Sequence, residues 1–324
     1  MKKTFLLLSF IVSVLILSSC SLFGVSINEK HFPDAASRGS VKSLDSDKNG
    51  YLSKKELEDA TSLIVWEACY DLSGVEYLTN LESLTLVKGA DLSGIEHLTN
   101  LKSLEIGDKC PDLSVVEHLT NLEQIQISDC VFSDTFVFDN EASVTNFIFR
   151  ECVFENGVLF RNDSVEYIEF GYVGTGYCEA RGDFVFADCD ALFWFTAGFD
   201  AVEEQNYTID LSGCDNLDWI SISNENAQIN TSVDLSNCSK LRAIAIYDLN
   251  LDDETELSLN ISGSPNLEAV NLPKDIKFLD IRDCPHLISA SEQTPHSGEF
   301  HLTFIYESDD GYIETDNEQL VFIK

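Results

Sequence analysis

Positive charge is scarce in this chain. Of its 324 residues 20 are Lys or Arg against 56 Asp or Glu, a formal net charge of −36. Acid on that scale repels nucleic-acid phosphates and anionic lipid headgroups, which excludes a generic nucleic-acid-binding role. Long apolar runs are missing as well. The stretch from Phe5 to Leu17 falls short of the roughly 20 residues that span a bilayer. No C-x-x-C pair occurs among the ten cysteines, which argues against a zinc site. Nor is there a nucleophile motif, a phosphate-binding loop or a metal-ligand triad. Composition alone does not exclude a glycosidase-type carboxylate pair, because acids are everywhere.

What is abundant is repetition. Asp71 to Leu86 (DLSGVEYLTNLESLTL), Asp91 to Ile106 (DLSGIEHLTNLKSLEI) and Asp112 to Ile127 (DLSVVEHLTNLEQIQI) are near-copies, starting 20 and 21 residues apart. So short a period means one small supersecondary unit stacked on itself. Each copy carries L-x-x-L-x-L, as in Leu81, Leu84 and Leu86. Its last two apolar positions alternate with polar ones, the period of a strand with one buried face. A second set spaced by three (Leu72, Val75, Leu78) fits a tight helical or 3₁₀ return. Leu63 and Val65 fit a first strand upstream. The pattern continues at Val144-x-x-Phe147-x-Phe149 and Val165-x-x-Ile168-x-Phe170, then in larger turns beginning at Leu192, Leu217, Leu241 and Leu267. Three later turns share a strand-like lead-in, such as Ile209-Asp-Leu-Ser-Gly-Cys214, which predicts a second strand on the back face.

On these residues the chain resembles leucine-rich repeats of the short bacterial, internalin-like kind, over about residues 61–289. The resemblance implies an α/β solenoid: a right-handed superhelix of short parallel strands. A solenoid strand face is shallow and excludes water poorly, which speaks against an enzyme.

Cys189, Cys214 and Cys238 precede the repeat pattern at one equivalent position and should stack as a ladder. Cys130, Cys152 and Cys284 each follow the last apolar strand position of their turns by three. Repeat-equivalent cysteines usually act as small buried apolar groups.

At the N-terminus, Lys2 and Lys3 precede the apolar run, which ends in Leu17-Ser-Ser-Cys20. This resembles a bacterial lipoprotein signal. It implies removal of residues 1–19, acylation of Cys20, a tether over 20–27, and anchoring to the cell membrane or outer membrane, facing outside the cytoplasm. Several acyl chains anchor stably where one is marginal.

Asp45-Ser-Asp47-Lys-Asn49-Gly50-Tyr51-Leu52-Ser53-Lys-Lys-Glu56 is a complete 12-residue EF-hand loop. Ca²⁺ takes six to eight oxygens. Asp45, Asp47 and Asn49 supply side-chain oxygens, Tyr51 its backbone carbonyl, Ser53 a direct or water-mediated contact and Glu56 a bidentate carboxylate. Gly50 permits the sharp turn. A helix opening at Phe32-Pro33-Asp34 and another over residues 56–62 complete an EF-hand cap over 28–60. Three carboxylates near two lysines suggest a Ca²⁺ affinity of roughly 10⁻⁵ to 10⁻³ M.

Residues flanking the second apolar position of each strand point out of the strand face. There Tyr167, Trp194 and Trp219 fall on three consecutive turns and predict an exposed aromatic column, with Glu169, Thr196 and Ser221 beside it. Aromatics with polar neighbours suit a protein side chain or a sugar ring, so a protein or a glycan is the expected ligand of a monomeric binder. A structural cell-envelope role is the third reading. Arg181-Gly182-Asp183 is expected to be a chance tripeptide, and His97 and His118 exposed polar positions copied by duplication. Residues 300–324 read as two strands around Asp309-Asp310-Gly311, a β-hairpin cap within 290–324.

Overall fold

The computed structural model describes residues 24–89, 91–109, 112–139, 142–171, 176–199, 205–224, 229–247, 257–271, 276–284 and 312–314. The chain divides into two compact units, 1–125 and 126–324. Cys20, the signal segment and residues 285–311 lie outside the described residues. Among the described residues, no helix is long and apolar enough to cross a membrane.

The N-terminal unit opens with β1 (Val25–Ser26), α1 (Ala35–Val41), β2 (Tyr51–Leu52) and α2 (Lys54–Asp59). Asp34 caps α1 by accepting from the amides of Ala36 and Ser37 at 2.7 and 3.1 Å. Ser53 and Glu56 form a reciprocal capping box on α2. Two orphan amides are thereby satisfied at once. The box starts the exit helix at Lys54 and it ends at Asp59, earlier at both ends than expected, because β3 already begins at Ser62.

β3 (Ser62–Val65), β4 (Ser83–Leu86) and β5 (Ser103–Gly107) then pair in parallel. The register stacks Leu63 on Leu84 on Leu104, and Val65 on Leu86 on Ile106. All six are buried. A slip of one residue would turn this whole apolar set to solvent, so the leucine pattern fixes the register. Between strands the chain returns through the 3₁₀ turns Val75–Tyr77 and Ile95–His97, entered by Gly74 and Gly94 at φ near +100°. The third copy has Val115 at that position. A β-branched residue does not adopt positive φ, and there the turn becomes a longer 3₁₀ helix, Leu113–His118. Asn100 and Asn121 each donate their side-chain amide to a carbonyl of the preceding turn, and Asn80 donates to the Glu58 carbonyl of α2, so the recurring asparagine ties each turn to the segment before it.

The unit boundary falls within β6 (Gln124–Ser128), and the C-terminal unit continues with β7 (Val131–Phe132), β8 (Phe136–Asp139) and β9 (Asn146–Arg150). Its next turns add β10 (Val153–Phe154), β11 (Val158–Arg161), β12 (Tyr167–Phe170), β13 (Glu179–Ala180), β14 (Phe184–Phe186) and β15 (Trp194–Phe199). The remainder are β16 (Gln205–Asp210), β17 (Trp219–Asn224), β18 (Ile229–Asp234), β19 (Ala243–Tyr247), β20 (Leu257–Asn260), β21 (Ala269–Asn271), β22 (Ile276–Asp280) and β23 (Tyr312–Glu314). The front sheet runs β9-β12-β15-β17-β19-β21, the back sheet β8-β11-β14-β16-β18-β20-β22-β23, and β7-β10-β13 form a small third sheet.

The fold is therefore a parallel-strand β-solenoid, with two corrections to the α/β expectation. Both α-helices among the described residues sit in the N-terminal unit, because the later return segments alternate as strands rather than repeat by three. The back strand already exists at Phe136–Asp139, and three turns carry an additional short strand. Phenylalanine fills the space between the sheets. Phe170 stacks on Phe149 at 4.9 Å and 3° and also meets Phe154, Phe184, Phe186, Phe195 and Phe199. At the far end, Tyr312–Glu314 extends the back sheet parallel to β22, Ile313 against Leu279. The turn of the expected hairpin lies outside the described residues.

Eight cysteines are buried thiols among the described residues. Cys69 lies in the N-terminal unit, and the other seven fall into two columns, not the grouping their spacing suggested. Cys130, Cys152 and Cys178 immediately precede register partners in β7, β10 and β13. Cys284 instead joins Cys189, Cys214 and Cys238, because Leu259 pairs with Leu279 and sets Ser264 level with Cys284. The rung between Cys238 and Cys284 is thus Ser264, whose buried hydroxyl has no partner.

Candidate functional site

The strand face of the C-terminal unit carries the aromatic row. Tyr167 of β12, Trp194 of β15 and Trp219 of β17 are register partners on adjacent parallel strands. Their rings lie outward because Ile168, Phe195 and Ile220, one residue on, fill the core. The Trp194 and Trp219 ring centroids are 4.3 Å apart and tilted by 50°. Trp194 is 37% exposed, whereas Tyr167 and Trp219 are half-buried.

The next outward row differs from expectation. Glu169, Thr196 and Ser221 are in register beneath the aromatics, but they are buried, at 7%, 4% and 4% exposure. Trp194 and Tyr167 bond to two of them. Trp194 Nε1 donates to Thr196 Oγ1 at 2.9 Å. The Tyr167 hydroxyl donates to Glu169 Oε2, and Arg150 Nη1 pairs with Glu169 Oε1. These three residues form a floor that supports the aromatic row rather than a second line of free contacts. A carboxylate this buried requires such partners.

Two residues of this face were not singled out in the sequence. Arg150 lies nineteen positions before Glu169 and meets it only because β9 and β12 are neighbours. Tyr177 lies over Gly198, where a Cβ would meet the tyrosine ring at 3.0 Å. An isolated glycine inside a strand is the available signal for that close approach.

The acidic loop of the N-terminal unit brings the carboxylates of Asp45, Asp47 and Glu56 within 4.8 Å of one another. Asp45 accepts from the amides of Asn49 (3.1 Å) and Gly50 (2.8 Å). Glu56 Oε1 accepts from the hydroxyl and amide of Ser46, and Oε2 from those of Ser53. Hydrogen bonds, first from the Ser46 hydroxyl and then from Ser53, hold the Glu56 carboxyl at about 2. Asn49 Oδ1 accepts from the Tyr51 amide at 2.8 Å. An all-oxygen donor set of this charge suits a hard divalent cation. Ser53 is occupied as the cap of α2, so its contact to a cation would run through Glu56 or water.

Two further sequence features find structural places. Asp183 of the Arg-Gly-Asp tripeptide accepts from the Thr208 amide at 2.8 Å, and its own carbonyl accepts from Val158. The tripeptide is thus built into the back sheet. His97 lies 3.8 Å from Glu96.

No protein-family model matches the chain, and no curated protein does. Solved structures that the chain matches include three from Listeria monocytogenes. Internalin C2 is 16% identical, with 88% of this chain and 99% of that one covered at a TM-score of 0.37. Internalin InlF is 16% identical over 84% and 98%, at 0.32. The functional domain of InlJ, described as including a cysteine ladder, is 16% identical over 82% and 75%, at 0.24. With similarity this distant, the solenoid rests on the chain's own strand pairing.

Proposed function

We propose that this chain is a non-catalytic, cell-surface binding protein, lipid-anchored through Cys20, whose strand face takes a protein partner. In this reading Ca²⁺, held by Asp45, Asp47, Asn49, Tyr51, Ser53 and Glu56, stabilises the N-terminal cap over residues 28–60. The observation that carries it is the in-register row Tyr167, Trp194 and Trp219 on the outward face. Aromatic anchors surrounded by buried polar neighbours are the composition of an interface hot spot.

A glycan is the second reading, favoured by the adjacent Trp194 and Trp219 rings. A sugar also needs polar groups free to bond its hydroxyls, and here Thr196 and Glu169 are already bonded to the aromatics above them. That favours the protein partner. A glycan array run beside a pull-down of cell-surface proteins separates the two. Capture of a protein with a blank array supports the first reading, and a glycan hit competing with no protein supports the second.

A further inference from the structure

We propose that β1 completes the calcium loop in place of the second EF-hand loop this chain lacks, so that Ca²⁺ binding and docking of β1 are coupled. The inference rests on the Ca²⁺ reading above. β1 and β2 pair antiparallel, Val25 with Leu52 and Ser26 with Tyr51, and Ile27 N donates to Gly50 O at 2.9 Å. Antiparallel pairs alternate between hydrogen-bonded and non-hydrogen-bonded positions. Ile27 opposite Gly50 is bonded, which makes Ser26 opposite Tyr51 a non-bonded pair. β1 therefore fixes the Tyr51 backbone without using its carbonyl, the oxygen this loop would offer a cation.

The segment is built for that contact. Gly24 has φ +78°, and a Cβ there would lie 2.3 Å from the Leu52 carbonyl oxygen. Val25 and Leu52 are buried at 1% and 0% exposure. Ser26 Oγ is 2.9 Å from His31 Nδ1 and accepts from Asn28 Nδ2 at 2.7 Å, which ties the strand's end to the lead-in of α1. Without a cation, Asp45, Asp47 and Glu56 repel one another and favour an open loop. A cation draws them together and demands the extended Tyr51–Leu52 backbone that β1 also requires. Each event supplies part of the order the other needs, and such coupling is reciprocal. Docking also shortens the tether expected after Cys20.

The test uses the full chain. Titration calorimetry with CaCl₂ on the wild type first asks whether the loop binds; absence of heat together with absence of a Ca²⁺-dependent melting shift rejects the underlying reading. Given binding, Val25→Ser and Gly24→Ala should each weaken the affinity about tenfold, within the usual range of coupling between sites. Hydrogen exchange on the wild type gives the reciprocal measurement and needs no variant. Ca²⁺ should slow exchange of the Val25 and Ile27 amides at least tenfold relative to EGTA. Wild-type Ca²⁺ binding with unchanged exchange at those amides overturns the coupling and leaves the calcium site standing.

Discussion

Phe170→Ala removes the ring that joins the front and back sheets of the C-terminal unit. The ring is fully buried and lies against six other phenylalanines. Truncation of a buried Phe costs about 3–5 kcal/mol through lost transfer energy and the cavity left behind. The ring–ring geometry adds to each contact, but these increments share one ring and do not sum. About 4 kcal/mol is the working value. For a cooperative unit of about 200 residues the unfolding entropy near Tm is about 0.4 kcal/mol/K, so Tm should fall by about 10 °C. Phe193, 48% exposed, is the control, and Phe193→Ala should move Tm by less than 2 °C. Thermal melts followed by far-UV circular dichroism, with urea titrations for ΔG, provide the readout. Equal shifts for the two variants would refute the assignment of the phenylalanine stack as the core of this unit.

Other expectations follow from the same structure. Saturating Ca²⁺ at a hundredfold excess over Kd should stabilise the N-terminal unit by about 2.7 kcal/mol, read by calorimetry as a rise in its melting transition that Glu56→Gln abolishes. Burial pushes the thiols of Cys189 and Cys238 up to about 11 and about 12. A folded value above the ordinary 9.0 means their contribution is complete below pH 9 and is lost as pH rises towards 11–12, so Tm should decline over that window. The eight buried thiols should also be silent to a thiol reagent at pH 8 and react once guanidinium unfolds the chain; rapid reaction of more than two thiols in the native protein, the number left by Cys20 and Cys110, would contradict their burial.

Much of the fold was legible because its signal repeats. Leu84, Leu104 and Ile125 mark the inward face of successive turns, and a pattern copied in register identifies a stacked strand without knowledge of its partners. The acidic loop was legible for a different reason: its ligand positions are contiguous. What could not be read depends on neighbours distant in sequence. β1, β7 and β10 are two residues each, too short for any periodicity. Counting three residues from the apolar position before it groups Cys284 with the cysteines that follow front strands, but the strand before Cys284 is β22 of the back sheet, whose register decides its column. The burial of Glu169 follows from Arg150 on the adjacent strand and from the lean of Tyr167, neither of which alternation reveals.

The central claim is that the aromatic row is the binding surface. The direct measurement compares capture of cell-surface proteins by the wild-type chain and by Trp194→Ala/Trp219→Ala at matched concentrations. Hot-spot aromatics cost about 2 kcal/mol or more each, but these two rings are in contact and do not simply add, so the affinity for the captured protein should fall about thirtyfold or more. Because both rings lie on the outward face and not between the sheets, far-UV circular dichroism should be unchanged. Tm should fall, since the rings are partly buried and Thr196 loses its partner, but by less than for Phe170→Ala, and the double variant should be folded at the assay temperature. Undiminished capture by the folded double variant would contradict the account.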